Sequence, residues 1–225
     1  MLFDKIDVRL GDRMIEQIMN NYYFQNLLYI VIIVLIALWT INNIKTKDNI
    51  RINKYLNIKN INIVVLFKYL FLSFIIRIIL ERLLIYIPIT ITSVRIPLNI
   101  LEIIVELITT CIFAPIFEEI IFRFWMYKKI NKKFNICISI ILTSIIFAIL
   151  HGYRYDGLII LSGISLIWNY AFYKHENLIY PILLHSIHNL YAVSNKIFDY
   201  NKYWYILLIV NIIGYIFIKT KEQKK

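Results

Sequence analysis

Residues 30–39 read IVIIVLIALW, an apolar run without a charge, and they lie inside a longer apolar segment at 22–41. The rest of the chain continues this pattern, because 60% of its 225 residues are hydrophobic and only 17% are charged. A soluble domain is about 45–50% apolar and about 25% charged, since its surface faces water. Apolar segments of this length cross a bilayer as helices, and they lack the alternation of a membrane barrel strand. The sequence therefore predicts an all-α, polytopic helical membrane protein.

The apolar segments predict about seven transmembrane spans, at 22–41, 61–87, 98–127, 136–151, 157–173, 178–192 and 204–218. An eighth span would have to lie before residue 98. Residues 2–19 place apolar side chains four positions apart between charged ones, which predicts a helix lying at the membrane interface. Pro115 lies within the third span, where it deletes a backbone donor and is expected to kink the helix.

The net charge of +11 comes mainly from lysines between the apolar segments, above all at 42–60 and 128–133. Because Lys and Arg are enriched in cytoplasmic loops, their distribution predicts a multi-pass protein of the cell membrane with its N-terminus outside and its C-terminus cytoplasmic. Membrane lipids are then the expected surroundings. Nucleic acid is not an expected partner, because the chain has no discrete basic domain. Cys111 and Cys137 lie in apolar runs and predict neither a disulfide framework nor a zinc ribbon.

Ionisable side chains inside the spans are informative about function. Placing each of them at mid-bilayer costs about 2.5–3.5 kcal/mol of insertion free energy, so pairing or function must offset that cost. Residues 112–127 read IFAPIFEEIIFRFWMY and carry Glu118, Glu119 and Arg123. Glu119 and Arg123 are four positions apart and can pair on one helical face. Glu118, about 100° around the helix, has no local partner and is a candidate general base. The alternative is a charge cluster that caps a helix near the headgroups.

Two later spans carry histidines. His151 closes the fourth span four positions after Phe147, and a lone histidine there is by itself more typical of an interfacial residue. In the sixth span His185 and Asn189 share a face, where they can donate two hydrogen bonds to one oxyanion or hold helices together. His188 is turned away from that face. A base, imidazoles and an amide together suit water activation and attack on a carbonyl, whereas no serine or cysteine has a convincing nucleophile setting.

These residues stand in motifs that resemble those of a known family. The motifs read EEIIFR at 118–123, FAILH at 147–151 and HSIHN at 185–189. In this order they resemble the CPBP-type intramembrane proteases, which include the CAAX prenyl endopeptidases and bacterial relatives linked to bacteriocin self-immunity. The likeness covers roughly residues 100–193, and the combination of motifs is specific where each motif alone is not.

The resemblance implies an endopeptidase that hydrolyses a peptide bond of a membrane-associated or lipidated peptide or protein. It also implies three parts, which are the interfacial helix and variable spans at 1–97, a protease core at 98–195, and the last span with a basic tail at 196–225. A non-catalytic immunity or scaffold protein of the same fold is the main alternative, although such a protein is expected to have lost part of the motif set. A transporter or proton relay would distribute polar residues along a path through the bilayer, whereas here they concentrate at one level.

Carried over position by position, the resemblance makes Glu118 the water-activating base, assisted by His151. It makes His185 and Asn189 the oxyanion hole. The residues with assisting or structural roles are Glu119, Arg123 and Phe147.

No metal is favoured, although zinc is the expected ion if one is bound. Its ligands would then be Glu118, His151 and His185. The zincin His-Glu-x-x-His spacing is absent, and the amide of Asn189 is a poor zinc ligand but a good oxyanion donor. His188 adds an imidazole where family members often have an apolar or small residue, and we expect it to be a bystander.

The assignment carries a condition on depth. Counted from the basic loop at 128–133, Glu118 lies about ten residues deep and His151 about sixteen, so straight helices separate them by roughly 9 Å. A tilt or an asymmetric loop at 128–135 is needed to bring the two side chains together.

Overall fold

The computed structural model describes residues 21–48, 50–84, 99–152, 155–198 and 216. The long helices, in chain order, are α1 Tyr22–Asp48, α2 Ile63–Leu84, α3 Ile100–Asn131, α4 Ile136–Leu150, α5 Tyr155–His175 and α6 Ile179–Phe198. Two 3₁₀ turns connect α1 to α2, and they are Ile52–Tyr55 and Ile58–Asn60. Within these described ranges there is no β-strand, which confirms the all-α prediction.

An asparagine begins most of these helices. Its side-chain oxygen accepts hydrogen bonds from the backbone N–H groups of the first turn, which have no partner within the helix. The capping residues are Asn21 on α1, Asn62 on α2, Asn99 on α3, Asn135 on α4 and Asn177 on α6. The polar loops between the apolar segments therefore define where the helices begin.

Among the described residues, three helices are long and apolar enough to cross a membrane. They span Tyr22–Lys47, Ile63–Leu84 and Ile100–Asn131. These helices correspond to the first three predicted spans, and they support an integral membrane protein. α4 is apolar but has 15 residues, fewer than the roughly 20 that cross a bilayer without help.

The predicted count of seven spans is not confirmed. α5 and α6 are helical where the fifth and sixth spans were expected, but they are less apolar than the first three. The seventh span at 204–218 and the interfacial helix at 2–19 lie outside the described residues, apart from residue 216, which is helical. The sides on which the termini lie stay a prediction.

The helices expose apolar side chains and bury polar ones, as expected where lipid is the solvent. Leu35, Leu83 and Leu150 are 61%, 66% and 66% exposed. Polar side chains that are fully buried include Ser73, Thr143, Ser144, Ser165 and Asn169. Asn169 donates through Nδ2 to Ser144 Oγ at 2.7 Å, which joins α5 to α4.

α3 is not a regular α-helix, because it contains the π-helical segments Thr109–Phe113 and Ile120–Tyr127. The first of these segments ends two residues before Pro115, the position at which the sequence predicts a kink. Pro115 has no backbone N–H, so the carbonyls one turn earlier lack a donor. One of them, that of Thr110, accepts a hydrogen bond from Asn189 Nδ2 of α6 at 2.8 Å. The backbone carbonyl that Pro115 leaves without a donor within α3 thus bonds α3 to α6.

α5 lies between α2 and α4 and packs along both of them. At Gly163 a Cβ atom would lie 2.6 Å from Leu80 Cδ1, so glycine allows α5 to approach α2 this closely. α6 packs against α5 and against the first π segment of α3. This arrangement brings α3, the end of α4 and the middle of α6 around one point.

Candidate active site

Polar residues of α3, α4 and α6 form one buried cluster where these three helices meet. Glu118 and Glu119 lie on α3 between its two π segments, His151 follows the last residue of α4, and His185 lies within α6. The exposed fractions of Glu118, Glu119 and Arg123 are 7%, 0% and 0%. Since buried charge is costly without a partner, the contacts of each group decide what the cluster can do.

Glu119 and Arg123 form the ion pair that their spacing predicts. Arg123 Nε lies 2.9 Å from Glu119 Oε2, with both side chains fully buried. The guanidinium also donates from Nη2 to Ser165 Oγ at 2.7 Å, and its Cζ lies 4.4 Å from the centre of the Phe147 ring. Arg123 therefore contacts α4 and α5 as well as its own helix, and it holds the Glu119 carboxylate in one place.

Glu119 in turn orients His185. Glu119 Oε1 lies 2.8 Å from His185 Nδ1, and a carboxylate paired with arginine is an acceptor, so we assign a ring proton to Nδ1. The imidazole stacks on the indole of Trp168, with ring centres 4.6 Å apart and planes 21° apart. Trp168 could not be identified from sequence, because a tryptophan in an apolar span has no spacing signal that links it to a histidine on another helix.

His151 is oriented by a backbone group. Its Nδ1 lies 2.7 Å from the carbonyl oxygen of Phe147, which again assigns the proton to Nδ1. The fully buried Phe147 ring lies 4.4 Å from the His151 ring and contacts His185 edge-on at 5.5 Å. The four-residue spacing of FAILH thus has a physical reason, since the first residue positions the imidazole of the last.

Glu118 faces both imidazoles with one oxygen. Its Oε2 lies 3.3 Å from His151 Nε2 and 3.9 Å from His185 Nε2. The other oxygen, Oε1, accepts a hydrogen bond from the hydroxyl of Tyr29 on α1. Tyr29 was also missed from sequence, since it lies 89 positions before Glu118 and outside the family-like segment.

The depth difference of about 9 Å expected between Glu118 and His151 is wrong. α3 continues to Asn131 instead of ending near residue 127, and α4 begins at Ile136. Counted from these ends, Glu118 lies 13 residues along α3 and His151 lies 15 residues along α4. Two residues correspond to about 3 Å of helix rise, which modest tilting can absorb.

Three atoms that can accept a hydrogen bond therefore lie close together. They are Glu118 Oε2, His151 Nε2 and His185 Nε2, all within 4.8 Å of one another. Acceptors alone repel each other, so this arrangement fits a water molecule, a shared proton or a divalent cation. The ligand types suit zinc, and both imidazoles have Nδ1 bound to an oxygen, as metal-ligating histidines usually do. These residues thus fit the zinc ligand set named from the sequence.

Two other polar residues of α6 make different contacts. Asn189 donates one N–H of its side-chain amide to the carbonyl of Thr110. The amide has a second N–H, which takes no part in that hydrogen bond. His188 Nε2 lies 2.8 Å from Ser73 Oγ, and the ring stacks on Phe74 at 4.3 Å. His188 therefore packs against α2 and does not join the group around Glu118.

Residues 100–191 match the family model described as Type II CAAX prenyl endopeptidase Rce1-like. The match covers all three motifs and every residue of the cluster except Tyr29. It confirms the resemblance seen in the sequence, since these residues are similar to the CAAX-type prenyl endopeptidases. No curated protein and no solved structure matches the chain.

Proposed function

We propose that this protein is an intramembrane endopeptidase in which Glu118 activates a water molecule for attack on a peptide bond. The observation that carries the proposal is the position of Glu118 Oε2 beside His151 Nε2 and His185 Nε2, at 3.3 and 3.9 Å. This group lies inside the segment that matches CAAX-type proteases. A water molecule among these atoms has a buried base to take its proton.

In the proposed reaction one proton of the water passes to Glu118 Oε2 while the water oxygen bonds to the scissile carbonyl carbon. The carbonyl oxygen becomes the oxyanion of a tetrahedral intermediate. When the intermediate collapses, the C–N bond breaks and the proton on Glu118 passes to the leaving nitrogen. The products are a carboxylic acid and an amine, and the Glu118 carboxylate is restored. His151, held by the carbonyl of Phe147, positions the water through Nε2.

His185 and Asn189 are proposed to stabilise the oxyanion. Because His185 Nδ1 is bound to Glu119, the ring donates from Nε2 only when it carries both protons, and the carboxylate at 2.8 Å stabilises that imidazolium. Asn189 offers the second N–H of its amide.

We favour a reaction without a metal ion, because the fourth polar residue of the motifs is an amide and not a further ligand. If zinc is bound, Glu118, His151 and His185 hold it, and the ion supplies Lewis acidity to a water or a carbonyl. The proposed substrate class is a membrane-associated or lipidated peptide or protein, because the cluster lies among helices whose outer surfaces are apolar.

Glu118→Gln tests the proposal, because glutamine keeps the shape of the side chain and cannot act as the base. We expect kcat for cleavage of a quenched membrane-peptide library in proteoliposomes to fall by about 10²–10⁴. Glu81→Gln is the matched control, since Glu81 also lies on a spanning helix but pairs with Arg77. Unchanged cleavage by Glu118→Gln would refute the assignment of the base. Peptide binding without cleavage by either protein would favour the immunity or scaffold role.

Metal analysis and EDTA treatment of the same preparations test the second part of the proposal. Cleavage that survives EDTA, in protein without stoichiometric metal, is the expected result. Loss of cleavage on EDTA treatment, followed by recovery with added zinc, would assign both histidines as ligands instead.

A further inference from the structure

Trp168 lies in the middle of α5 and is the largest fully buried side chain among the described residues, with 1% of its surface exposed. Its indole stacks on the imidazole of His185, with ring centres 4.6 Å apart and planes 21° apart. The indole also lies edge-on to the ring of Phe147 at 5.9 Å, and 5.6 Å separates its centre from Arg123 Cζ. Trp168 therefore contacts one residue of the site from each of α3, α4 and α6, although it belongs to none of the three sequence motifs.

A tryptophan is costly at this position. Its indole N–H is buried, and no acceptor for it is found in the part of the chain that the structure describes. Buried tryptophan N–H groups usually have a partner, because a donor left without an acceptor inside a protein costs free energy. Phenylalanine or leucine would fill much of this space without a polar atom. The indole ring therefore needs a reason beyond the filling of space.

A single hydrogen bond does not fix the orientation of the His185 ring. The bond from Nδ1 to Glu119 Oε1, 2.8 Å long, holds one edge of the ring, but the ring can still tilt about the line that joins these two atoms. Rotation about the bond from Cβ to the ring is also soft, because this torsion has broad energy wells. A flat surface against the face of the ring removes this freedom, and the indole of Trp168 supplies such a surface.

We propose that Trp168 is a positioning residue that holds the plane of the His185 ring so that Nε2 faces Glu118 Oε2, 3.9 Å away. The inference rests on the proposed function, which uses His185 Nε2 at the reacting carbonyl. Productive geometry in an active site has to be held to about 0.5 Å and about 10–20°, and a displacement of about 1 Å can cost about 10²-fold in rate. Trp168 thereby acts on the reaction through His185.

Two substitutions of Trp168 and one matched control test this role. Trp168→Phe keeps an aromatic face at this position, and Trp168→Leu removes it. Phe74→Leu is the control, because Phe74 is also buried and stacks on a histidine of α6. That histidine is His188, whose ring centre lies 4.3 Å from that of Phe74, with planes 19° apart. The control thus removes the same kind of contact from a histidine outside the group around Glu118.

NMR of the full chain in detergent, with isotope-labelled histidine, observes the stack without substrate. The chain has four histidines, so the ring protons of His185 can be assigned by their loss in His185→Gln. The ring current of an indole shifts protons above its face upfield. We expect Trp168→Leu to abolish this shift and to broaden the His185 signals, since the ring then samples several orientations. Trp168→Phe should keep part of the shift, and Phe74→Leu should leave the His185 signals unchanged.

Cleavage of the quenched peptide library in proteoliposomes should follow the same order. We expect kcat to fall about 10- to 100-fold in Trp168→Leu, to recover in part in Trp168→Phe and to keep the wild-type value in Phe74→Leu. KM should change little, because His185 acts on the oxyanion, which exists only after attack on the carbonyl. A residue that only fills space would instead lower Tm in Trp168→Leu, as in Phe74→Leu, with kcat unchanged in both.

Two results would overturn the proposal. His185 signals that are the same in Trp168→Leu and in the wild type would mean that Glu119 alone orients the ring. Trp168→Phe, whose smaller ring should change the shift, decides this point if the leucine variant does not fold. Equal losses of kcat in Trp168→Leu and Phe74→Leu would mean that a general loss of packing slows the reaction. Normal cleavage by Glu118→Gln would refute the proposed function, but the NMR signals would still show whether Trp168 orients His185.

Discussion

The buried pair of Glu119 and Arg123 predicts a large loss of stability in Glu119→Gln. The two side chains are fully buried with 2.9 Å between Nε and Oε2, and the groups of α5 that the guanidinium contacts, the hydroxyl of Ser165 and the ring of Trp168, are neutral. Removing one partner of a buried pair costs about 3–5 kcal/mol, because the other charge is left uncompensated. In a protein of this size 1 kcal/mol corresponds to about 2–4 °C in Tm, so the expected decrease is about 6–20 °C.

Glu81→Gln is the matched control for this measurement. The pair of Arg77 and Glu81 has the same four-residue spacing and a distance of 2.7 Å, but its side chains are 19% and 38% exposed. A pair that water can reach is worth about 0–1 kcal/mol, so Tm should fall by no more than about 4 °C. Tryptophan fluorescence of the detergent-purified proteins, recorded during heating, measures both decreases.

A double variant separates the charge from the packing. Glu119→Leu combined with Arg123→Met removes both charges, and we expect it to recover most of the Tm lost in Glu119→Gln. The double variant should not cleave, because His185 no longer has the Glu119 carboxylate as the acceptor for its Nδ1 proton. Equal Tm values for Glu119→Gln and Glu81→Gln, or a double variant no more stable than the single one, would refute the reasoning.

Two further predictions concern side chains at the edge of the cluster. Tyr29→Phe removes the hydroxyl that donates to Glu118 Oε1, and a hydrogen bond to a charged group is worth about 1.5–3 kcal/mol, so kcat should fall about 10- to 100-fold. A lower Tm with unchanged kcat would mean instead that Tyr29 only packs α1 against α3. Asn189→Ala should lower kcat by roughly 10²–10³ in single-turnover cleavage if the amide serves the oxyanion. Loss of Tm alone would leave Asn189 with its bond to Thr110 as its single role.

The candidate cluster could be found from sequence because its members are rare where they stand. Glu118, His151 and His185 are ionisable residues in apolar helices, and lipid makes such residues costly enough to be informative. The pairing of Glu119 with Arg123 was also predictable, since a four-residue spacing on one helix is a local property. The catalytic roles of these residues stay predictions that the variants above test.

Other members of the site carry no local signal. Tyr29 and Trp168 belong to the large aromatic fraction of the chain, and what distinguishes them is a contact with Glu118 or His185 from another helix. Ser165 is one of several small polar residues, and its bond to Arg123 depends on how α5 packs against α3 and α4. Such contacts depend on helix rotation and depth, which the spacing of residues along one helix does not specify.

The sequence by itself indicated that lipid surrounds the chain, that the chain is helical, which family it resembles and which residues form the candidate site, because hydropathy and motif spacing are properties of neighbouring residues. Tertiary structure decided where α3 ends and that the side chains of Glu118 and His151 meet, with Oε2 and Nε2 3.3 Å apart. It also decided which nitrogen of each histidine faces Glu118, since Nδ1 is bound by Phe147 in one case and by Glu119 in the other. The physical reason is that these features arise from contacts between helices distant along the chain, whose relative positions no local pattern determines.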